Sequence, residues 1–458
     1  MHDNSTTEMS ARTSRNSKIF SCLGPYQDSN LADRTLNNKV IVDYAAPAKP
    51  GTIAETGLDQ TFINDLILKN VMHIGEFSIQ QAVDLVKLPL PIVESSLQEL
   101  RRDSYIEIKG SQSLMKLSYR YMVTNTGRNR GASLFEVSRY SGPAPVTLSS
   151  YREMVDKKSV KNITLNALML TKAFSKLVIE KEFLSRIGAG VCSGRPIFLY
   201  GPPGNGKTSI AKIIGNMISD LVYIPYSIIV NGEIIVLFDP GTHIKKDLSD
   251  TDNVFDQRWI AVNRPAVRAG GELNSKSLDL NFDSLSKYYT APLQLKANNG
   301  LFIIDDFGRQ QVNPQELLNR LIIPLEERKD LLTLNTGAKL EVPFDQLIIF
   351  ATNLDPRKLV DRAFLRRLRY KIHVPHPDLE SFEKIFKSVC KTNNISFNPR
   401  IFQYLVENYY NRFSVKFNAC EPRDLIDHIL DDAKFDDSVP KLTKTKISQA
   451  WKSYFVQI

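Results

Sequence analysis

The sequence predicts an α/β fold in which a parallel sheet is flanked by helices, and three segments carry this prediction. Residues 197–200, 301–304 and 347–351 are short, almost wholly apolar runs, as expected of strands that are buried on both faces. Segments with helical periodicity alternate with these runs, which is the pattern of parallel α/β folds. Each run ends in glycine or polar residues. Because the carboxyl ends of parallel strands meet at one edge of a sheet, we expect a ligand site there.

The composition is that of a globular protein. The chain has 458 residues, of which 42% are hydrophobic and 24% charged. Its net charge of +9 permits contact with nucleic acid or acidic surfaces but does not require it. No apolar run reaches the ~18 residues that a membrane helix needs, and residues 1–16 lack the apolar core of a secretory signal. We therefore expect a cytoplasmic protein. The cysteines and histidines show no ligand spacing, so we expect reduced thiols and no transition metal.

A glycine-rich turn separates the first apolar run from a helix. It reads Gly201-Pro202-Pro203-Gly204-Asn205-Gly206-Lys207-Thr208 and fits the spacing GxxxxGK[ST]. Glycines let backbone N–H groups point inward around phosphates, and the helix N-terminus adds positive potential. Lys207 is predicted to reach the β- and γ-phosphates, and the Thr208 hydroxyl to ligate Mg²⁺. The strand before this turn and the helix after it favour a phosphate cradle for ATP over a chance glycine-rich turn.

Acidic and amide side chains follow the two other apolar runs. Asp305 and Asp306 come directly after residues 301–304. Asp305 is predicted to hold the Mg²⁺ shell and Asp306 to orient the attacking water. Asn353 follows the third run and is predicted to hydrogen-bond the γ-phosphate or the water. The alternative for Asp305 and Asp306 is an acidic turn after a strand, and the alternative for Asn353 is a cap residue. The neighbouring glycine-rich turn makes both less favoured.

Arginines at two further places could complete the site. Arg366, Arg367 and Arg369 crowd one turn before an alternating strand. A guanidinium stabilises charge that develops on a transferred phosphate, including one bound by a neighbouring subunit. Of the three, Arg367 is expected to be structural. Arg423, at the start of a C-terminal helix, is predicted to turn onto the nucleotide. The alternatives are a solvated basic face for the first group and an ordinary surface arginine for Arg423.

Taken in this order, the motifs resemble those of the AAA+ ATPase superfamily over residues 165–455. The resemblance implies that the glycine-rich turn is Walker A, that residues 301–306 are Walker B and that Asn353 is sensor 1. It further implies that Arg366 and Arg369 are arginine fingers and that Arg423 is sensor 2.

A closer resemblance links four segments to a group of bacterial AAA+ ATPases with an N-terminal winged-helix-like region. The segments are residues 195–208, 296–300, 307–311 and 364–371. One position departs from the superfamily, in which the second Walker B acid is usually Glu. Here it is Asp306, whose side chain is one methylene shorter, so turnover is expected to be slow or, in the extreme case, absent.

The chain is predicted to divide into five parts. Residues 1–55, rich in Ser, Thr, Asn and Asp, are expected to be a disordered tail. Residues 56–140 show the order helix, helix, helix, strand, turn, strand, helix, which is typical of a winged-helix domain. Residues 141–160 are predicted to be a linker, residues 161–375 the AAA+ nucleotide-binding domain, and residues 376–458 a helical lid.

Two segments exceed what a plain crossover between strands needs. Residues 221–300 form an insertion, in which Val230-Asn231-Gly232-Glu233 is a strong signal for a type I′ hairpin. A second hairpin is predicted over residues 332–342. Each is expected to be a pore loop, a partner surface or a subunit contact, with surface elaboration as the alternative.

The winged-helix-like region is predicted to dock a protein in preference to reading DNA. Its third helix, residues 92–102, carries Glu94 and Glu99 and offers few donors for base edges. A purely structural role is a further alternative. The side chains that could contact DNA phosphates are Lys109, Lys116, Arg120, Arg128 and Arg130.

The sequence thus predicts an ATPase that forms a homo-oligomeric ring, binds ATP with Mg²⁺, and remodels a protein client as MoxR-like chaperones do. An ATP-controlled DNA-binding regulator and a non-hydrolysing nucleotide switch are the alternatives. The predicted catalytic residues are Lys207, Asp305, Asp306, Asn353, Arg366 and Arg369. The predicted Mg²⁺ ligands are Thr208 and Asp305. The predicted ATP-binding residues are Gly201, Pro202, Pro203, Gly204, Asn205, Gly206, Lys207, Thr208, Ser209 and Arg423.

Overall fold

The computed structural model describes residues 46–111, 119–218, 220–247, 255–359 and 362–455. All of these belong to one structural unit. Most of the predicted tail, and Lys116 of the winged-helix-like region, lie outside the described residues.

Residues 46–55 were predicted to be the end of the tail, but they pack against the folded chain. The Pro47 carbonyl accepts a hydrogen bond from the Asp256 N–H at 3.0 Å. Pro50 is buried, and the Thr52 side chain caps the first helix. The polar composition of this segment was misleading, because its backbone and prolines make the contacts.

The N-terminal region, residues 53–137, places helices around a small antiparallel sheet of order β1–β3–β2. The first turns of α3 are fixed by a complete capping box between Ser78 and Gln81. Apolar side chains of α2, α3 and α4 share one core with Phe77 and Val123. In chain order the elements are α1 (Ile53–Thr56), α2 (Gln60–Val71), β1 (Glu76–Phe77), α3 (Ile79–Val86), α4 (Leu90–Arg102), β2 (Ile106–Ser111), β3 (Tyr119–Val123) and α5 (Asn125–Val137).

The predicted linker at residues 141–160 is part of the folded core, which corrects that prediction. It forms β4 (Val146–Thr147) and α6 (Leu148–Lys157), followed by α7 (Ala167–Ala173) and α8 (Lys181–Cys192). Tyr151 and Met154 of α6 are buried in a large apolar cluster. The Pro/Gly-rich stretch before β4 is held in place because the Tyr140 hydroxyl donates to the Pro143 carbonyl at 2.7 Å. Its prolines therefore stiffen a packed connection between elements of one core.

The elements from the phosphate loop onward follow in chain order. They are β5 (Ile197–Tyr200), α9 (Lys207–Met217), β6 (Leu221–Pro225), β7 (Ser227–Val230), β8 (Glu233–Val236), β9 (Trp259–Asn263), β10 (Ala266–Ala269), β11 (Asn281–Asp283), β12 (Tyr288–Thr290), α10 (Leu293–Lys296), β13 (Leu301–Ile304), α11 (Pro314–Glu327), β14 (Lys329–Thr333), β15 (Lys339–Pro343), β16 (Leu347–Thr352), α12 (Pro356–Leu359), α13 (Arg362–Arg367) and β17 (Tyr370–His373).

In the described part of the chain, five parallel strands form the central sheet, which confirms the predicted α/β fold. Their order is β10–β13–β16–β5–β17, and every pairing is parallel. Helices cover both faces, and two apolar clusters bury the strands from either side. Because β16 lies between β5 and β13, the residues that end these three strands meet at one edge of the sheet.

A second sheet, of order β11–β12–β8–β7–β4, combines four strands of the insertion with β4 from the predicted linker. Asn231 and Gly232 have φ of 52° and 82°, as a type I′ turn between β7 and β8 requires. One face of the β7–β8 hairpin packs on α6, whereas Ile234 belongs to the core of the N-terminal region. The insertion therefore joins the N-terminal region to the rest of the protein.

The second predicted hairpin, β14–β15, is also packed. Leu332, Leu340 and Val342 are buried in the same cluster as α6, whereas the opposite face of β14 and the tip around Thr336 are exposed. Both predicted hairpins are therefore parts of the folded body, since the apolar faces of their strands are buried.

The segment 296–300, one of the four that resemble a group of bacterial AAA+ ATPases, is a structural junction. The Asn298 amide donates to the Tyr151 hydroxyl at 2.9 Å, and the Asn299 amide donates to the Val155 carbonyl at 2.8 Å. Asn299 also donates to Asp345, at 2.9 Å. These buried contacts tie α6 to the start of the central strands, so this motif positions the sheet and lies apart from the ligand site.

The C-terminal region, residues 379–454, is helical and has an aromatic core of its own, which includes Phe382, Tyr410 and Trp451. Among the described residues, no helix combines the length and apolar character needed to span a membrane. The helices are α14 (Leu379–Thr392), α15 (Pro399–Leu405), which runs into a π-helical turn, α16 (Glu421–Phe435) and α17 (Lys444–Tyr454).

Candidate functional site

The glycine-rich turn connects β5 to α9, as expected for a phosphate loop. Gly206 is the N-cap of α9 and has φ of 86°, a left-handed conformation that favours glycine. At Gly204, a Cβ atom would lie 2.7 Å from the Cys420 sulfur, so only glycine fits this close approach to the C-terminal region. The turn therefore presents the N-terminal end of α9, with its positive potential, at the carboxyl edge of the sheet.

Lys207 lies within this turn and is only 7% exposed. Its ammonium donates to the carbonyls of Gly201 at 3.0 Å and Pro202 at 2.7 Å. Burial lowers the pKa of Lys207, while the negative charges of Asp306 and Asp305 oppose this shift. The ammonium is thus held inside the turn by two backbone carbonyls.

Thr208 and Asp305 are in direct contact. The Thr208 hydroxyl lies 2.9 Å from Oδ1 and 3.0 Å from Oδ2 of Asp305, which is buried at the end of β13. A hydroxyl beside a carboxylate is a set of hard oxygen donors, which is the chemistry that Mg²⁺ prefers. The residues present therefore fit the cation that the phosphate loop implies.

Asp306 and Asn353 form the second polar pair. The Asn353 amide donates to Oδ1 of Asp306 at 3.0 Å. Asp306 has φ of 48°, in the left-handed region where Asp and Asn are enriched among non-glycine residues. This backbone conformation offers a physical reason for Asp at a position where the resembled superfamily usually has Glu.

Arg268 belongs to the same cluster, and the sequence reasoning missed it. Its Nη2 donates to Oδ2 of Asp305 at 2.7 Å, from the neighbouring strand β10, and its side chain is 48% exposed. Arg268 lies between the apolar residues Val267 and Ala269 on a strand of four residues, which is too short to be predicted by its pattern.

Replacing Arg268 with methionine is expected to raise several-fold the Mg²⁺ concentration at which nucleotide binding is half-saturated. The guanidinium orients the Asp305 carboxylate through their 2.7 Å contact, so its loss leaves a less well-placed magnesium ligand. Binding of a fluorescent ADP analogue would be titrated with Mg²⁺ in wild type, Arg268→Met and Arg268→Lys. The lysine variant should restore part of the effect. An unchanged or lower half-saturating Mg²⁺ concentration would contradict this role.

A cleft of about 950 Å³ opens beside these residues. One wall is the phosphate loop with Asp305, Asp306 and Asn353, and the other is the C-terminal region. Part of the cleft lining is apolar, and the sequence analysis missed it. Its residues come from a loop and from two helices, α8 and α14, that carry no motif. Its side chains include those of Leu177, Val178, Ile179, Phe183, Ile385 and Val389.

Arg423 lies near the start of α16 and lines this cleft. Its guanidinium is 3.1 Å from Asp424, and its side chain is 66% exposed. Arg423 therefore faces the cleft from the C-terminal region.

The arginines near residue 366 lie elsewhere. Arg367 is paired with Glu326, in keeping with a structural role, whereas Arg366 and Arg369 are exposed. Neither of these two lines the cleft, and Arg369 borders a separate concavity beside α8. The Lys371 ammonium holds their turn by donating to the Leu368 carbonyl at 2.6 Å. The structure thus brings together Lys207, Thr208, Asp305, Asp306, Asn353 and Arg423, but not Arg366 or Arg369.

Comparison with known proteins gives a family match for the C-terminal region only. Residues 378–453 match a family described as a domain of unknown function, DUF8689, and this span coincides with α14 to α17. No curated protein matches the chain.

Among solved structures, NtrX from Brucella abortus is similar with 14% identity and a TM-score of 0.36, covering 65% of this chain and 58% of that one. A second NtrX structure, in complex with ADP, has 15% identity and a TM-score of 0.37, with coverages of 70% and 65%. Domain III of the Thermotoga maritima replication initiation protein DnaA has 16% identity, a TM-score of 0.34 and coverages of 63% and 98%. The chain thus spans less than two thirds of the NtrX chains, and likeness at this level does not identify a function.

Proposed function

We propose that this protein is an AAA+ type ATPase that binds ATP with Mg²⁺ in the cleft and hydrolyses it. One observation carries the proposal. The phosphate loop, the Thr208–Asp305 pair and the Asp306–Asn353 pair meet at the carboxyl ends of β5, β13 and β16. Groups that bind phosphate, a divalent cation and a water molecule are thereby placed within one site.

The chain's own residues supply positioning and charge. Backbone N–H groups at the start of α9 bind the phosphates, and Lys207 neutralises charge that develops on the transferred group. Thr208 and Asp305 would hold Mg²⁺, which supplies further charge neutralisation when bound. Asp306 accepts a hydrogen bond from the attacking water, and Asn353 restrains the Asp306 carboxylate through their 3.0 Å contact. The apolar section around Val178 and Ile385 has the character to bind the adenine ring.

The positions of Arg366 and Arg369 support an oligomer. Both are exposed and lie outside the cleft of their own chain. A guanidinium supplied by a neighbouring copy would complete the site, as in ATPases that use an arginine in trans. We therefore propose a homo-oligomer, closed into a ring, that acts in the cytoplasm on a protein client.

The N-terminal region favours a protein-directed role over DNA reading. On α4 the exposed positions include Arg101 and Arg102, but Glu94 and Glu99 lie on the same helix, and Arg130 is paired with Asp65 at 2.9 Å. Fewer cations are therefore free for phosphate contacts than the sequence suggested. A second candidate function is a nucleotide switch without turnover, because the side chain of Asp306 is one methylene shorter than that of Glu.

The test is steady-state ATP hydrolysis against protein concentration for wild type, Lys207→Ala, Arg366→Ala and the exposed control Arg400→Ala. We expect wild-type and control activity per subunit to rise with concentration and both other variants to lose at least ~100-fold, the scale of a lost arginine or phosphate-binding group. Mixing the two inactive variants should restore part of the activity, because one supplies an intact site and the other an intact arginine. Activity of wild type that is independent of concentration and no recovery on mixing would exclude a shared site. A wild-type protein that does not bind ATP would refute the proposed ATPase function.

A further inference from the structure

The turn before α16 is bonded directly to the phosphate loop. The Cys420 N–H donates to the Gly204 carbonyl at 2.9 Å. The Ala419 N–H donates to Oδ1 of Asn205, also at 2.9 Å. These hydrogen bonds join segments more than 200 residues apart, and they belong to the C-terminal region on one side and to the ATP site on the other.

Asn205 bridges the two segments. Its side chain is nearly inaccessible to solvent, and its amide Nδ2 faces the carbonyls of Pro202 and Pro203 at 3.4 and 3.3 Å. The same Nδ2 also lies 3.4 Å from Oδ1 of Asn418. The side chain thus contacts its own loop through Nδ2 and the C-terminal region through both Nδ2 and Oδ1. A substitution that removes the amide would break both sets of contacts without touching Lys207 or Thr208.

Glu421 shapes the turn from the other side. Its carboxylate is 1% exposed and accepts hydrogen bonds from the Asn418 N–H at 2.9 Å, the Asn418 amide at 2.8 Å and the Tyr410 hydroxyl at 2.8 Å. A buried carboxylate is stable only when it is hydrogen-bonded in this way. Burial, with the nearby charge of Glu421, raises the pKa of Tyr410, which keeps that hydroxyl a donor. These bonds fix the turn so that the next two N–H groups point at the phosphate loop.

We propose that Asn205 and Glu421 are positioning residues that clamp the phosphate loop to the C-terminal region and thereby couple its binding of phosphate to the placement of that region. This inference rests on the proposed function, because it takes the loop to bind a nucleotide. The clamp holds the loop in its binding conformation, so nucleotide affinity depends on it. By linkage, a nucleotide must in turn stabilise the clamp.

The experiment combines binding with amide hydrogen exchange. Asn205→Ala is expected to weaken the binding of a fluorescent ADP analogue by about five- to thirty-fold, the effect of one lost buried hydrogen bond. In wild type, ADP should slow exchange at the Ala419 and Cys420 amides, and this protection should be lost in the variant. Asn408→Ala is the matched control, since this exposed asparagine of the same region donates to the nearby Tyr404 carbonyl, away from the phosphate loop.

A second variant separates the clamp from direct phosphate contacts. Glu421→Gln makes no change in the loop, yet its amide cannot accept the three hydrogen bonds of the carboxylate. We expect it to weaken ADP binding and to speed Ala419 exchange, and its effect should be less than additive with that of Asn205→Ala. ADP affinity within twofold of wild type in both variants would overturn the clamp. A wild-type protein that binds no ADP would instead remove the proposed function and the coupling with it, even where the variants speed exchange at Ala419.

Discussion

Replacing Arg258 with leucine is expected to destabilise the folded protein by about 3–5 kcal/mol, the cost of leaving a buried charge without its partner. Arg258 and Asp256 are 4% and 3% exposed, and their closest contact is 2.8 Å. The same guanidinium donates to the carbonyls of Thr56 at 3.0 Å and Pro145 at 3.3 Å. The Arg258 side chain thereby connects the start of β9 to α1 of the N-terminal region and to the segment that precedes β4.

Chemical denaturation would measure this loss of stability. Faster amide exchange near Thr56 and Pro145 than elsewhere would show that these two contacts are lost first. The matched control is Arg102→Leu, because Arg102 is paired with Asp103 at the surface with 71% of its side chain exposed. Exposed pairs contribute about 0–1 kcal/mol, so little change is expected there. Replacing Asp256 and Arg258 together by leucine should cost less than Arg258→Leu alone, since no charge stays unpaired. Equal losses for Arg258→Leu and Arg102→Leu would refute the proposed role of the pair.

Asp306→Asn is expected to reduce ATP turnover by about 10²–10⁴-fold while ATP affinity stays within a few-fold of wild type. Asparagine has nearly the same shape, can still accept the hydrogen bond from Asn353 and tolerates the φ of 48°. The substitution therefore removes the negative charge that we propose to activate the water, and little else. Single-turnover hydrolysis, together with equilibrium binding of a fluorescent ATP analogue, would separate the two effects.

The same position distinguishes an ATPase from a nucleotide switch. Asp306→Glu is expected to bring no gain in turnover, because the longer side chain is less suited to the left-handed backbone and moves its carboxylate away from Asn353. Lys207→Ala serves as the inactive reference. A sharp rise in turnover for Asp306→Glu over a nearly inactive wild type would favour the switch.

Much of the candidate site could be read from the sequence because its signals are local. Three apolar runs are followed by Gly201, Asp305 and Asn353, and the structure makes each run a strand of one parallel sheet. The Asn231-Gly232 turn was equally readable, since its residue types are selected by their own φ values. What sequence reasoning missed depends on partners far along the chain. Arg268 reaches Asp305 only because β10 pairs with β13.

The sequence by itself determined where the buried strands run, which turn can hold phosphate and which acids stand at the strand ends, since apolar periodicity and glycine spacing act over a few residues. Only the tertiary structure decided that residues 141–160 belong to the core, that both hairpins are packed, and that Asn205 meets the turn before α16. Those outcomes depend on which surfaces bury one another. A Pro/Gly-rich stretch or a polar side chain has the same local signature whether it ends in solvent or against a segment 200 residues away.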